Sequence, residues 1–116
     1  MRILWRNLYF YIMLTQKQIQ EIVGTIVARY QPEKIVLFGS YAGGKPNKDS
    51  DLDFCIIKKT KSKFQNRSTE VRNIFDPYPW AMDIFVFTPE EFDKRKNIYG
   101  TLEYIVNTQG QVLYGE

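Results

Sequence analysis

An apolar run in the middle of this chain begins with two carboxylates one residue apart: Asp51-Leu52-Asp53-Phe54-Cys55-Ile56-Ile57. A short apolar segment of this kind, bounded by loop residues, reads as a strand. Residues i and i+2 of a strand face the same way about 6.8 Å apart. Asp51 and Asp53 can therefore converge on one divalent ion or a closely spaced pair. Two other runs have the same character. Lys34–Phe38 is β-branched and reads as a buried strand, and Ala81–Phe87 carries Asp83 between Met82 and Ile84. An unpaired charge in such a run would be costly to bury, and metal-bound carboxylates on a neighbouring strand would relieve the cost.

Helical patterns separate these runs. Ile19, Ile22, Val23, Ile26, Val27 and Tyr30 recur at helical spacing behind a Thr15-x-x-Gln18 capping box, which predicts a helix ending before Pro32. Gly39-Ser40 turns the first strand into a small helical segment, and Gly43 to Lys48 is a loop by composition. Ser62 to Phe75, with Phe64, Val71, Ile74 and Phe75, predicts a helix closed by Pro77 and Pro79. Thr88-Pro89-Glu90-Glu91 combines an N-cap, a proline at the first helical position and a capping glutamate. Ile98, Leu102, Ile105 and Val106 support a last helix, Gly110 punctuates, and Val112-Leu113-Tyr114 adds a terminal strand.

The chain has 116 residues, 44% of them hydrophobic, which suits one modest core and leaves no room for a second domain. Residues 15–116 are read as that domain, behind an apolar N-terminal segment, 1–14. In the segment, Leu4, Trp5, Leu8, Tyr9 and Ile12 share one helical face, with Arg2 and Arg6 elsewhere. It is too short to span a bilayer, and no small-residue cleavage site follows. A docking helix, a membrane-surface helix and a translational extension ahead of Met13 all remain open, with packing against self or a partner preferred.

Histidine is absent, which removes imidazole bases, Ser-His and Cys-His nucleophile pairs and the commonest zinc ligand. Any chemistry must use carboxylates, backbone donors and metal. The single cysteine, Cys55, allows no internal disulfide, reads as core, and fits a reducing, cytoplasmic setting. The net charge of +3 is concentrated in Lys58, Lys59, Lys61, Lys63, Arg67 and Arg72, opposed within that stretch by Glu70 alone. Such a run can steer an acidic partner or polyanion, or can simply be a solvated face. No aromatics interleave Lys58 to Lys63, which counts against a nucleic-acid groove.

Each motif has a plainer reading. Gly-Ser after a strand is usually a turn, and alternating acids at a strand edge are often solvated. Asp49, Asp51 and Asp53 also open like a calcium loop, but that loop needs Gly where Phe54 stands and Glu where Thr60 stands, so calcium is excluded. In its functional reading, glycine lets the backbone approach a phosphate closely while Ser40 and the helix start present donors.

The combination is more specific than its parts. Gly39-Ser40-Tyr41-Ala42, Ser50-Asp51-Leu52-Asp53 after a short loop, and Asp83 on a later strand resemble the polymerase β nucleotidyltransferase superfamily. The pattern is similar to its minimal nucleotidyltransferase (MNT) branch over roughly Thr15 to Tyr114. The resemblance implies an α/β (α+β) fold, polymerase β-like, with a mixed sheet flanked by helices. It also implies that Gly39 and Ser40 hold the β and γ phosphates of ATP. Asp51, Asp53 and Asp83 would bind two magnesium ions, with Asp83 next to the attacking hydroxyl.

Stand-alone MNT proteins are antitoxins paired with HEPN ribonuclease toxins, and they silence the toxin by transferring AMP from ATP to one of its tyrosines. By resemblance, the expected partner is therefore a HEPN-type toxin, with nucleic acid not a direct substrate, no membrane, and homo-oligomerisation left open. In this family an arginine commonly follows the Tyr-Ala pair, and here Gly43 occupies that place. The loss of a guanidinium weakens phosphate or acidic pairing, with Lys45 and Lys48 as point-charge substitutes. It also keeps alive a second reading, a catalytically weak or inactive module that neutralises its partner by occlusion.

Overall fold

The computed structural model describes residues 14–47 and 49–116. The helical face expected for Leu4 to Ile12, with the docking and membrane-surface readings attached to it, lies outside the described residues. So does Lys48.

Helix α1, Gln16–Tyr30, starts at the expected box. The Gln18 amide donates to the Thr15 hydroxyl at 3.2 Å and the Thr15 amide donates to the Gln18 side chain at 2.8 Å. It stops where Gln31 adopts a left-handed conformation ahead of Pro32. Its apolar stripe, Ile19, Ile22, Val23 and Ile26, is buried, each side chain contributing about 1.5–3 kcal/mol. Strand β1, Lys34–Phe38, runs directly into the one-turn helix α2, Gly39–Ala42. Strand β2, Leu52–Ile57, follows the loop, so Asp51 stands just before the strand.

Helix α3 covers Phe64–Arg72, shorter at both ends than the expected Ser62 to Phe75. Ser62 is drawn out of the helix by side-chain bonds: its amide donates to the Thr60 hydroxyl and its hydroxyl donates to Glu70. Ile74 and Phe75 fall beyond the C-cap, Asn73. Strand β3, Met82–Phe87, leads through a second complete capping box at Thr88 into helix α4, Pro89–Arg95. Helix α5, Leu102–Gln109, is capped by Thr101, and strand β4, Gln111–Tyr114, closes the fold. Ile98, expected to join the last helix, lies in the turn before it and is exposed.

The four strands form one mixed sheet in the order β3-β2-β1-β4. β1 is antiparallel to β2 and β4, while β2 and β3 are parallel. A parallel pair needs a crossover, and α3 supplies it. One face of the sheet, through Ile35, Leu37, Leu52, Phe54, Ile56, Met82, Ile84 and Val86, packs with α1 and with Val71 of α3. The other face packs Val36, Phe38, Cys55, Ile57 and Phe87 against Phe92 of α4 and Val106 of α5.

The basic stretch is not a continuous patch. The Lys58 ammonium donates to the Tyr30 carbonyl and lies 4.4 Å from the Tyr30 ring centre. Lys59 pairs with Glu33 at 3.7 Å. Arg67 is buried, with Glu91 at 2.6 Å and the Ser62 and Val86 carbonyls also taking its N–H groups. Arg72 donates to the Met82 carbonyl at 3.2 Å. Lys59, Lys61, Lys63 and Arg72 are exposed.

Candidate active site

Helices α4 and α5 cover only part of the second sheet face, and the carboxylates occupy the rest of it. Side chains alternate along a strand, so Asp53 shares a face with Cys55 and Ile57. The parallel register sets Asp53 directly beside Asp83, as it sets Cys55 beside Phe85, and neighbouring strands lie only about 4.8 Å apart. On the other side, Phe38 is the antiparallel partner of Asp53. The rings of Phe38 and Phe85, 6.0 Å apart, separate the acids from the covered core.

This placement explains the charge behaviour. Asp53 is half-buried, and its carboxyl is pushed up to about 6, first by burial and then by the charge and hydrogen-bonding reach of Asp83, with a further contribution from Asp51. Asp83 itself is exposed on its strand, which corrects the expectation of a charge enclosed in an apolar run. Met82, Ile84 and Val86 point to the buried face and Asp83 to the open one.

Gly39 lies against Asp53. Its φ is +75°, a conformation that disfavours any side chain, and a Cβ there would come within 2.1 Å of an Asp53 carboxylate oxygen. The turn is thus glycine because the backbone must both reverse hand and lie against the carboxylate. Tyr41 is buried in the α1 side of the core, and its hydroxyl accepts from the Leu14 amide at 3.2 Å. That anchor fixes α2, and Gly39 and Ser40 are exposed.

The structure thus brings Asp53, Asp83 and Gly39 together, with Ser40 next in sequence. Asp51 stands exposed at the entrance to β2 and acts on Asp53 through its charge. Among the described residues, no three carboxylates are gathered closely enough to form a ready metal cage.

Three neighbours went unnoticed in the sequence. Trp80 donates from its ring nitrogen to the Ser50 carbonyl at 3.3 Å, tying the loop ahead of Asp51 to the loop ahead of Asp83. Arg72 donates to the carbonyl of Met82, the residue before Asp83, and the Tyr78 phenol is pushed up first by burial, with Arg72 lowering it and Asp83 and Asp51 raising it. Arg72 had been counted only among the basic residues, and neither Tyr78 nor Trp80 was singled out in the sequence.

The side chains suit a divalent cation in chemical type. Adjacent oxygen donors whose mutual repulsion raises a pKa are what a hard cation would relieve.

The chain matches the model of the family described as a nucleotidyltransferase domain over residues 17–114. It is 30% identical over 104 residues to a protein of Methanocaldococcus jannaschii named "Putative protein adenylyltransferase", covering 88% of this chain and all of that one. It also resembles the crystal structure of a "putative nucleotidyltransferase" from Sulfolobus solfataricus, with a TM-score of 0.60, 20% identity, and coverage of 86% of this chain and 79% of the other. The second likeness bears on the fold alone. Among the described residues, no helix is long and apolar enough to cross a membrane.

Proposed function

The chain belongs to the nucleotidyltransferase domain family, and from that premise we propose that it is a magnesium-dependent antitoxin transferring AMP from ATP to a tyrosine hydroxyl of a HEPN-type toxin. The observation that carries this reading is the Asp53–Asp83 pair, side by side in the parallel register at the uncovered end of the sheet face. The name of the Methanocaldococcus relative, over its full length, supports protein as the acceptor.

In this reading Asp51, Asp53 and Asp83 would hold magnesium. Bound divalent cations supply neutralisation of the triphosphate and lower the pKa of the attacking hydroxyl. Gly39 keeps the backbone free of side-chain atoms where the phosphates approach, and Ser40 presents its hydroxyl to them. Asp83, the more exposed of the pair, lies open to the incoming acceptor. Asp53, beside Phe38 in the register, is in a partly dehydrated setting where its charge acts strongly. No residue of this chain needs to act as nucleophile for transfer to a partner, because the acceptor hydroxyl supplies it.

The competing reading, a module that silences its partner by occlusion, draws on Gly43, which puts no guanidinium beside α2. Co-expression with a HEPN-type toxin separates the two. Adenylyl transfer predicts AMP on a toxin tyrosine with wild-type protein and none with Asp53→Asn. Equal protection of cells by the Asp53→Asn protein, at matched amounts and with an unmodified toxin, favours occlusion.

A further inference from the structure

Asp53 and Asp83 are set by the ladder of the sheet, but Asp51 lies ahead of β2 and owes its place to other bonds. The peptides on its two sides are both held. The Leu52 amide donates to the Ala81 carbonyl at 3.0 Å, and the Ser50 carbonyl accepts from the Trp80 ring nitrogen at 3.3 Å. Ser50 is also closed onto Asn47: its amide donates to the Asn47 carbonyl at 3.0 Å and its hydroxyl accepts from the Asn47 amide at 2.9 Å. The two anchors of Asp51, Trp80 and Ala81, are consecutive residues that run directly into Met82 and Asp83. They differ in kind. The Ala81 anchor is backbone, whereas the Trp80 anchor depends on a side chain. The half-buried Trp80 ring packs against the core on the α1 face of the sheet, opposite the face that carries Asp53. A ring seated there presents its one N–H in a fixed direction and leaves the carboxylate side clear.

We propose that Trp80 is a positioning residue for the metal site: its ring N–H fixes the peptide before Asp51 so that this carboxylate stays within reach of a cation held by Asp53 and Asp83. The role rests on the transferase reading above, in which the three acids hold magnesium. Without the Trp80 bond, the turn ahead of Asp51 is tied to the sheet only through Leu52, and cation binding has to order that segment at an entropic cost. A hydrogen-bonding partner that orients a ligand typically changes metal affinity by roughly 10–100-fold. A single neutral bond belongs at the lower end of that range.

Magnesium is titrated by calorimetry into the purified full chain with a non-hydrolysable ATP analogue present, and urea unfolding is followed in EDTA. Trp80→Phe keeps an aromatic ring in the core and removes the N–H. It should weaken magnesium binding roughly tenfold and still unfold cooperatively. The tryptophan isostere benzothienylalanine at position 80, which keeps the bicyclic shape and lacks the N–H, should give the same loss with wild-type stability. Asp51→Asn removes the group through which Trp80 acts. Added to that variant, Trp80→Phe should change magnesium affinity by less than about twofold, the non-additivity of two residues working as one unit. Wild-type affinity in both position-80 variants, or the same tenfold loss with and without the Asp51 carboxylate, overturns the positioning role while the transferase reading stands. Absence of magnesium binding in the wild type, together with an unmodified co-expressed toxin, overturns both.

Discussion

Replacing Asp53 by Asn should make the protein more stable while abolishing transfer. In the folded chain the Asp53 carboxyl sits at about 6 instead of its ordinary 3.8, chiefly through burial and the adjacent Asp83. The folded state therefore binds protons more tightly than the unfolded one. Its contribution to stability is complete below pH 3.8 and is lost as pH rises through 6. A shift of roughly two units corresponds to about 3 kcal/mol, and solvent screening of this half-exposed group reduces that to about 1–2 kcal/mol. Asn has the same shape and carries no charge, so at pH 7.5 the variant should gain that amount, a rise in melting temperature of roughly 5 °C for a domain of this size. At pH 4 the wild-type group is already protonated and the gain should vanish. Magnesium with ATP should raise the wild-type midpoint and leave the variant's nearly unchanged. Thermal melts at the two pH values, each with magnesium plus ATP and with EDTA, read all of this. Equal midpoints at pH 7.5, or a gain that does not depend on pH, would refute the repulsion argument.

Gly39→Ala should be destabilised by about 1–2 kcal/mol from backbone conformation alone. It should also lose transfer, because the added Cβ collides with the Asp53 carboxylate; urea unfolding and a transfer assay check the two effects separately. Arg67→Ala removes a buried guanidinium that ties α3 to Glu91 and to two backbone carbonyls. A loss of about 2–4 kcal/mol is expected, measured by urea unfolding, and a change below 0.5 kcal/mol would show that the network is dispensable. Cys55, fully buried, has its thiol pushed up to about 12, first by burial and then by Glu103. A thiol reagent at pH 8 should leave it unlabelled in the native protein and label it fully in denaturant, so rapid native labelling would contradict the packing.

Most of the fold was legible because its signals are local. Both Thr capping boxes, the β-branched run at Lys34–Phe38 and the stop before Pro32 act within a few residues, and each appears where its chemistry requires. The ends of α3 were misread because Ser62 makes side-chain bonds that no hydrophobic period reveals. The carboxylates were visible as residues, but their relation was not. That Asp53 meets Asp83 depends on the parallel register of β2 and β3, a long-range property. Alternation placed Asp83 inside an apolar run, while only the sheet's uneven helical cover decides that its face is open. The pairings made within the basic run were equally hidden. Its members have separate neighbours, the Tyr30 carbonyl, Glu33, Glu91 and the Met82 carbonyl, and none of these lies nearby in sequence. Arg72 carries no motif, and only the return of the chain into β3 sets it against the carbonyl of Met82, the residue before Asp83.

In the proposed function, Asp53 and Asp83 are a repelling pair whose shared proton a divalent cation would displace. Calorimetric titration of magnesium, with a non-hydrolysable ATP analogue present, tests it in buffers of different ionisation heat at pH 6 and pH 8. Binding at pH 6 should release roughly half a proton per site, seen as a buffer-dependent heat. At pH 8 that dependence should disappear, and Asp53→Asn should show neither the proton release nor wild-type affinity. Binding of equal strength in Asp53→Asn, or heats at pH 6 that are the same in every buffer, would contradict the account.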